Sequence, residues 1–325
     1  MKKALRFLRK HIWFDVLLVL LILGFYPLPD VSPVKYINRE TGKIETEKIA
    51  GEHWLKWLYY NPLGELSLHT IVKRKFVSDF YGHLMDTEWS AKKIEPFVRE
   101  YNIDLSIAEK QHFSTFNDFF IRKLKPGARI INKDDRVVVS GGDGKILVYP
   151  NVQTADFIVK GHRFDVYSYL NNDSLAKLYE DGSLAIIRLC PTDYHRFHFP
   201  LNGTVSDNVK INGDLYSVSP IALRKMTDIF LLNKREYVLL ANRRFGEVVV
   251  SEVGATMVGS IVQTYSKHQV KKGEEKGYFK FGGSSIVMLF KKGSVRFDND
   301  LIENTLKGFE TQIKMGERIG ICGNE

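Results

Sequence analysis

The chain has 325 residues, 44% hydrophobic and 26% charged, ordinary globular proportions that exclude a disordered or collagen-like polymer. Two cysteines, Cys190 and Cys322, are too few for a disulfide scaffold or a four-cysteine zinc site. Lysines and arginines number 47 against 38 aspartates and glutamates, and the resulting +9 suits an anionic partner: acidic lipid, nucleic acid or a phosphorylated substrate.

Five basic residues (Lys2, Lys3, Arg6, Arg9, Lys10) precede an apolar run from Ile12 to Pro29. A spanning helix needs about 20 apolar residues, so this run, with Asp15 near its start and Pro27 and Pro29 at its end, is marginal. It passes into Phe25-Tyr26-Pro27 rather than the small residues of a signal-cleavage site. The expectation for residues 1–30 is an uncleaved membrane-anchoring segment that spans or lies in the interface, with the basic flank on the cytoplasmic side. The alternative is an apolar helix packed on the body.

Residues 31–50 read as a polar connector. Residues 51–122 read as helical, from the spacing of Ile71-Val72, Phe76-Val77, Phe80-Tyr81 and Leu84, with a break at Pro62-Leu63-Gly64 and a capped short helix after Thr115. Leu124-Lys125-Pro126-Gly127 closes that part. Beyond residue 130, β-branched runs alternate with glycine-rich turns: Val137–Val139, Ile146–Tyr149, Phe157–Val159, Ala185–Ile187, Val248–Val250 and Ile286–Phe290. One helix is expected around Pro220–Leu232. The fold class is therefore α+β. A membrane-anchoring segment (1–30) and a helical N-terminal region (31–127) precede a β-rich, barrel- or sandwich-like catalytic body (128–325).

Three places carry chemistry-bearing residues. Asp143 follows Gly141-Gly142, a pattern that by itself reads as a hairpin turn. His195 and His198 lie in Pro191-Thr192-Asp193-Tyr194-His195-Arg196-Phe197-His198-Phe199-Pro200, where the bracketing prolines favour an irregular stretch. Further metal ligands are lacking there, and proton transfer suits the imidazoles better. Phe281-Gly282-Gly283-Ser284-Ser285 opens an apolar strand. Glycine leaves the Gly283 carbonyl unshielded, and the Ser284 hydroxyl can attack it given a base and oxyanion donors. Carboxylate, imidazole and hydroxyl are also the inventory of a serine hydrolase. The lysine-rich stretch Lys267, Lys271, Lys272, Lys276 reads as a solvated loop or a contact for lipid phosphate. Cys190 reads as a small buried hydrophobe.

Ordered markers then add specificity. They are Tyr59-Tyr60-Asn61-Pro62-Leu63-Gly64, the run Phe116–Gly127, Asp143-Gly144, Asp193–Pro200, Gly213–Val218, Val253–Ile261, and Lys272-Gly273-Glu274 with Gly277-Tyr278-Phe279 leading to Gly283-Ser284. On these markers the chain resembles the phosphatidylserine decarboxylase family in its bacterial form with an extended N-terminal region. The resemblance covers most of residues 34–320. It implies a proenzyme that cuts itself between Gly283 and Ser284 into a β chain (1–283) and an α chain (284–325). Ser284 becomes a covalent pyruvoyl cofactor, which forms a Schiff base with phosphatidylserine and yields phosphatidylethanolamine and carbon dioxide. Asp143, His198 and Ser284 are implied as the processing triad and His195 as a participant in decarboxylation. Two departures stand out: Ser285 where threonine is common, and Gly141-Gly142 where a proline-containing stretch usually precedes the aspartate. The implied partners are phosphatidylserine, anionic membrane lipid and the two chains of its own cleavage, without metal or nucleic acid, and a homo-oligomer is left open. The implied location is the cytoplasmic membrane, with the catalytic body on its cytoplasmic face. A serine hydrolase using the same three side chains and a non-catalytic lipid-binding membrane protein are the competing readings.

Overall fold

A basic, then apolar N-terminus forms α1 (Lys2–Gly24) in this computed structural model, which describes residues 2–154, 164–256 and 260–323. The apolar side chains of α1 largely face outward, Phe14 at 62% and Leu17 at 60% exposure. Its C-terminal end is tied down. Trp57 Nε1 donates to the Gly24 carbonyl (3.1 Å) and Asn61 Nδ2 to the Leu23 carbonyl (2.8 Å). Among the described residues no helix is long and apolar enough to cross a membrane. The reason is length: α1 ends at Gly24, and the rise from Ile12 to there is about 20 Å against a hydrocarbon core of about 30 Å. The expectation of a membrane-anchoring segment is thus unsupported as a span.

The segment read as a polar connector holds a hairpin, β1 (Lys35–Ile37) and β2 (Ile44–Thr46). Helices then follow: α2 (Glu52–Tyr60), α3 (Pro62–Ser67), a π-helical turn over Leu68–Val72, α4 (Lys75–Met85), a 3-10 turn over Glu88–Lys93, α5 (Ile94–Tyr101) and α6 (Phe116–Phe120). Pro62 ends α2 and starts α3, whose first free N–H groups, Leu63 and Gly64, donate to the Asn61 side chain. Thr115 caps α6 as its sequence predicts, accepting from the Asp118 N–H. The spacing over 71–84 produces α4, but Phe76 and Phe80 on it are 65% and 66% exposed.

The body comprises β3 (Val137–Val139), β4 (Gly144–Tyr149), α7 (Val166–Leu170), α8 (Asp173–Ala176), β5 (Ser183–Leu189), β6 (Arg196–His198), β7 (Gly203–Val205), β8 (Val209–Ile211), α9 (Pro220–Leu223) and α10 (Ile229–Leu232). It continues through β9 (Arg235–Asn242), β10 (Gly246–Val253), β11 (Ile261–Gln263), β12 (Gln269–Val270), β13 (Glu275–Phe279), β14 (Ser284–Phe290), β15 (Val295–Phe297), α11 (Asn299–Leu306), β16 (Glu310–Ile313) and β17 (Arg318–Cys322). The predicted strands fall inside these, apart from 157–159, which lies outside the described residues. The single helix expected near 220–232 is two short ones.

Among the described residues, eleven strands form one sheet in the order β12-β7-β9-β10-β14-β5-β4-β16-β1-β2, with β8 also on β9. The hairpin of residues 35–46 therefore belongs to the body's sheet, through parallel pairing of β1 with β16. Two three-stranded sheets, β11-β13-β6 and β15-β17-β3, cover one face. Ile286, Met288 and Phe290 of β14 meet Phe197, Phe279, Phe297 and Val138 there. Side chains alternate across a strand, so Val287 and Leu289 point to the other face, against Leu55, Leu58 and Tyr59 of α2 and Ile221 of α9. The result is a three-layer α+β molecule with β14, buried throughout, near the middle of the large sheet.

Candidate active site

Ser284 is the first residue of β14, and the segment 280–283 carries the chain to it from β13 in a different sheet. That crossing is held from outside. The Asn117 side chain accepts from the Phe281 N–H (2.9 Å) while its amide donates to Asp86 Oδ1 (2.8 Å). The Phe281 ring packs against Tyr81, Phe116 and Phe120, each between 5.1 and 5.6 Å centroid to centroid. Gly282 has φ 137°, a conformation that side-chain-bearing residues rarely adopt. Ser284 and Ser285 are fully buried, and neither hydroxyl has a hydrogen-bond partner among the described residues.

The two histidines are placed by β6, which runs antiparallel to β13. The stretch between Pro191 and Pro200 is thus partly a strand, not wholly irregular. His195 is completely buried, its ring 3.9 Å from that of Phe120. Its Nδ1 faces the Asp193 carbonyl at 2.9 Å, and a carbonyl only accepts, so Nδ1 carries the hydrogen. Nε2 makes no hydrogen bond among the described residues, and the Gly282 backbone also lies close to this ring. Burial brings this imidazole down to about 3, and it is neutral. His198 Nδ1 donates to the Gly273 carbonyl (3.1 Å), and its Nε2 accepts from the Tyr194 hydroxyl (3.2 Å). Burial lowers the His198 pKa as well.

Asp143 lies between β3 and β4, which belong to different sheets, so Gly141-Gly142 is a crossing between layers rather than a hairpin turn. A Cβ on Gly141 would lie 2.8 Å from the His198 carbonyl oxygen, and one on Gly142 2.8 Å from Ile286 Cδ1; the glycines let the layers approach. The Asp143 carboxylate is held by Arg129, through Nε at 3.0 Å and through Nη2, and by the Met315 N–H at 2.8 Å. Asp143 and His198 are therefore not directly bonded; the Gly273 carbonyl, not the carboxylate, fixes the tautomer of His198. Sequence reading gave no role to Arg129, Tyr194 or Asn117. Tyr194 and Asn117 lie inside the motifs quoted above and Arg129 two residues beyond one, but their roles arise from contacts between distant segments.

A cavity of ≈ 390 Å³ adjoins this segment. Its walls are mostly apolar, among them Trp54, Leu55, Phe97, Val218 and Phe281, and it reaches Gly282 and Gly283. Cys190, read as a buried hydrophobe, instead sits in a charged cluster. Its thiol donates to Glu47 Oε1 (3.0 Å), and Lys145 Nζ lies 3.2 Å from its sulfur. Both cysteines are buried and free. Among the described residues no group of three or more metal-ligating side chains occurs.

The family model for phosphatidylserine decarboxylase matches residues 116–321 of this chain. A phosphatidylserine decarboxylase proenzyme of Fusobacterium nucleatum is 52% identical over 291 residues, 88% of this chain and 97% of that protein. Proenzymes of the same name from Clostridium botulinum (strain Hall) and Clostridium kluyveri are 48% and 46% identical, each over 89% of this chain and 99% of their own length. The chain belongs to the phosphatidylserine decarboxylase family. Within the family match fall Asp143, His195, His198 and Ser284, together with Arg129, Tyr194 and Asn117. Glu47 and the helices α1–α5 lie outside that match, although α2 packs into the body's core through Leu55, Leu58 and Tyr59.

Proposed function

We propose that this chain is a self-processing decarboxylase of phosphatidylserine, cut between Gly283 and Ser284 into chains of 1–283 and 284–325. The observation that carries it is the juxtaposition of a glycine-only backbone conformation at Gly282 with a fully buried, unpartnered hydroxyl at Ser284. Leaving a buried hydroxyl unpaired costs about 1–3 kcal/mol, and sites of chemistry are where such strain collects.

In this reading the Ser284 hydroxyl attacks the Gly283 carbonyl and the peptide bond becomes an ester. His198 Nε2 is the acceptor for the hydroxyl proton once the Tyr194 hydroxyl gives up that nitrogen. Arg129 and the Met315 N–H keep Asp143 fixed beside the pair as a source of negative charge. Elimination then releases the Gly283 carboxylate, and water replaces the Ser284 nitrogen, which leaves as ammonia. The pyruvoyl group left on residue 284 supplies the electron sink that carbon dioxide loss requires. The site suits that group: the small Gly282 and Gly283, which precede residue 284, line a cavity, and His195 Nε2 makes no hydrogen bond among the described residues. In this reading that nitrogen is placed to deliver a proton to Cα after carbon dioxide leaves.

Charge and exposed apolar surface support work at a bilayer. Ile71, Phe76 and Phe80 project from the π-helical turn and α4, Leu66 from α3, and the apolar side of α1 lies open. Arg74 and Lys75 lie between Ile71 and Phe76, while Lys73 is taken up by Asp214. We take residues 1–30 as an interfacial segment, 31–127 as the membrane-facing helical part and 128–325 as the catalytic body, on the cytoplasmic face of an anionic membrane. Intact-mass measurement tests the whole reading. Wild type should give two chains, the smaller without an ordinary amino terminus, and Ser284→Ala one full-length inactive chain. A whole, probe-labelled wild-type chain would indicate the serine hydrolase; a whole, unlabelled one, the lipid-binding protein.

A further inference from the structure

Residues directly opposite in neighbouring strands share a face of the sheet. Ser284 lies opposite Leu189, and Ser285 opposite Arg188, which in turn lies opposite Lys145. Leu189 belongs to the core shared with Phe197 and Phe199, the face of the histidines. Ser285, Arg188 and Lys145 lie on the other face, the one packed against the helices. The two faces of one strand end therefore serve different steps: the Ser284 hydroxyl points to the processing side, and the cavity, with Arg188 in its wall, opens on the helical side.

The wall of that apolar cavity, which also holds Gly282 and Gly283, carries a polar patch built from Glu47, Arg188 and Cys190. The Glu47 side chain is only 6% exposed. Oε1 accepts from Arg188 Nη1 (3.1 Å) and from the Cys190 thiol (3.0 Å), and Oε2 accepts from Arg188 Nη2 (2.6 Å). A carboxylate offers roughly four acceptor sites, so one remains on Oε2. Burial alone would raise this carboxyl, but Arg188 and Lys145 bring it down to about 2, so it stays ionised. Arg188 itself is shared with Glu310 (Nε to Oε1, 2.8 Å) and is not open to an anion. The unpartnered hydroxyl of Ser285 lies on this same face. On the helical wall, Lys93 lines the cavity with its ammonium over the Tyr81 and Trp89 rings. An apolar chamber whose wall includes a buried carboxylate as well as Gly282 and Gly283, with an ammonium on its helical side, complements a lipid whose head group carries both a primary ammonium and a phosphate.

We propose that Glu47 is the specificity-determining residue of this cavity, receiving the ammonium of an aminophospholipid and holding it beside residue 284. This rests on the decarboxylase reading but concerns binding, which the uncut chain already permits because the cavity exists before cleavage. A carboxylate that stays ionised binds an ammonium as an ion pair without taking its proton.

The test uses full-length Ser284→Ala protein, with calorimetric titration of dihexanoyl lipids below their micelle concentrations. Phosphatidylserine and phosphatidylethanolamine should bind at least about 10-fold more tightly than phosphatidylglycerol, as expected for one charge-assisted hydrogen bond. Adding Glu47→Gln should erase that preference while leaving phosphatidylglycerol affinity unchanged. Glu47→Asp, which keeps the charge, should restore part of it. A parallel fall for all lipids would make Glu47 merely structural and overturn the proposal, as would a preference that survives Glu47→Gln or is absent from the parent. Ala50→Trp, which fills the cavity from a lining residue outside the ion network, should abolish binding of every lipid; binding that persists overturns the location whether or not the Gln variant folds. Cleavage and carbon dioxide release by wild type are scored separately. Their absence would sink the decarboxylase reading, whereas their presence with unchanged lipid selectivity would sink only the role of Glu47.

Discussion

His195 Nε2 and Ser284 Oγ are both enclosed, and among the described residues neither has a hydrogen-bond partner, a costly state for polar atoms. The histidine makes this measurable through pH. An unfolded imidazole takes up its proton near 6.5, whereas folded His195 does so only at about 3. Between those values the unfolded chain binds more protons, so stability falls as pH falls, by up to about 1.4 kcal/mol per unit, and above 6.5 the residue contributes nothing. From pH 7.5 to 5 the loss assigned to His195 is about 2 kcal/mol. Denaturant unfolding of Ser284→Ala protein should show a loss about 2 kcal/mol smaller when His195→Gln is added; equal losses would disprove the burial argument. His198, also lowered, acts in the same direction and stays in both proteins. At this scale the sequence disclosed the residues whose types are chemical in themselves, Ser284 and the two histidines. Arg129 and Tyr194 were not legible. An arginine becomes the partner of Asp143 only once the chain just beyond Gly127 folds against the crossing between β3 and β4, and nothing local announces that contact.

Lys276 shows the same limit at the level of elements. Read in sequence it belongs to a lysine-rich, solvent-facing loop; in the structure it is an inward residue of β13, fully buried against Glu252 of β10. Lys272, its neighbour in that reading, donates to the Asp134 and Val137 carbonyls instead of facing lipid. Period-two alternation over Glu275–Phe279 is obscured by Gly277, and the partner carboxylate is 24 residues away. Strands with uninterrupted β-branched runs, such as β10 and β14, were read correctly because burial on both faces demands them. The three-residue β1 and β2 were missed because so few, mostly polar, residues carry no period. The Lys276–Glu252 pair joins the strand leading into the cleavage segment to the strand beside β14. Removing one member leaves a buried, uncompensated charge at a cost of about 3–5 kcal/mol. Lys276→Met should therefore lower the urea midpoint by that equivalent and slow self-cleavage on a gel time course. Adding Glu252→Met should recover most of the stability. If the single substitution proved harmless, the pair would not be what aligns β13 with β14.

For the molecule as a whole, the consequence of the cut depends on topology. The proposed α chain spans 325 − 283 = 42 residues. Its first strand, β14, lies between β10 and β5 near the middle of the large sheet, paired along its length to both. Its β16 is inserted between β4 and β1, while β15 and β17 pair with each other and β17 with β3. The fragment is interleaved with the remainder at three places in two sheets, and the Met315 N–H also reaches Asp143. Separating it exposes both faces of β14, every residue of which is buried. Each fully buried Val, Leu, Ile, Met or Phe side chain contributes about 1.5–3 kcal/mol. Ile286, Val287, Met288, Leu289 and Phe290 alone would therefore lose roughly 8–15 kcal/mol. Cleavage should thus leave the native assembly closed. Native size-exclusion chromatography of processed protein should give one peak with both chains in equal amounts, unchanged by dilution, and separation should require denaturant. After denaturant is removed, the two isolated chains should fail to regain turnover at the rate of the parent. The central strand must now find its place between β10 and β5 as a separate molecule, and the intramolecular advantage of the uncut chain is gone. Spontaneous loss of the small chain under native conditions would show that β14 is not buried as described.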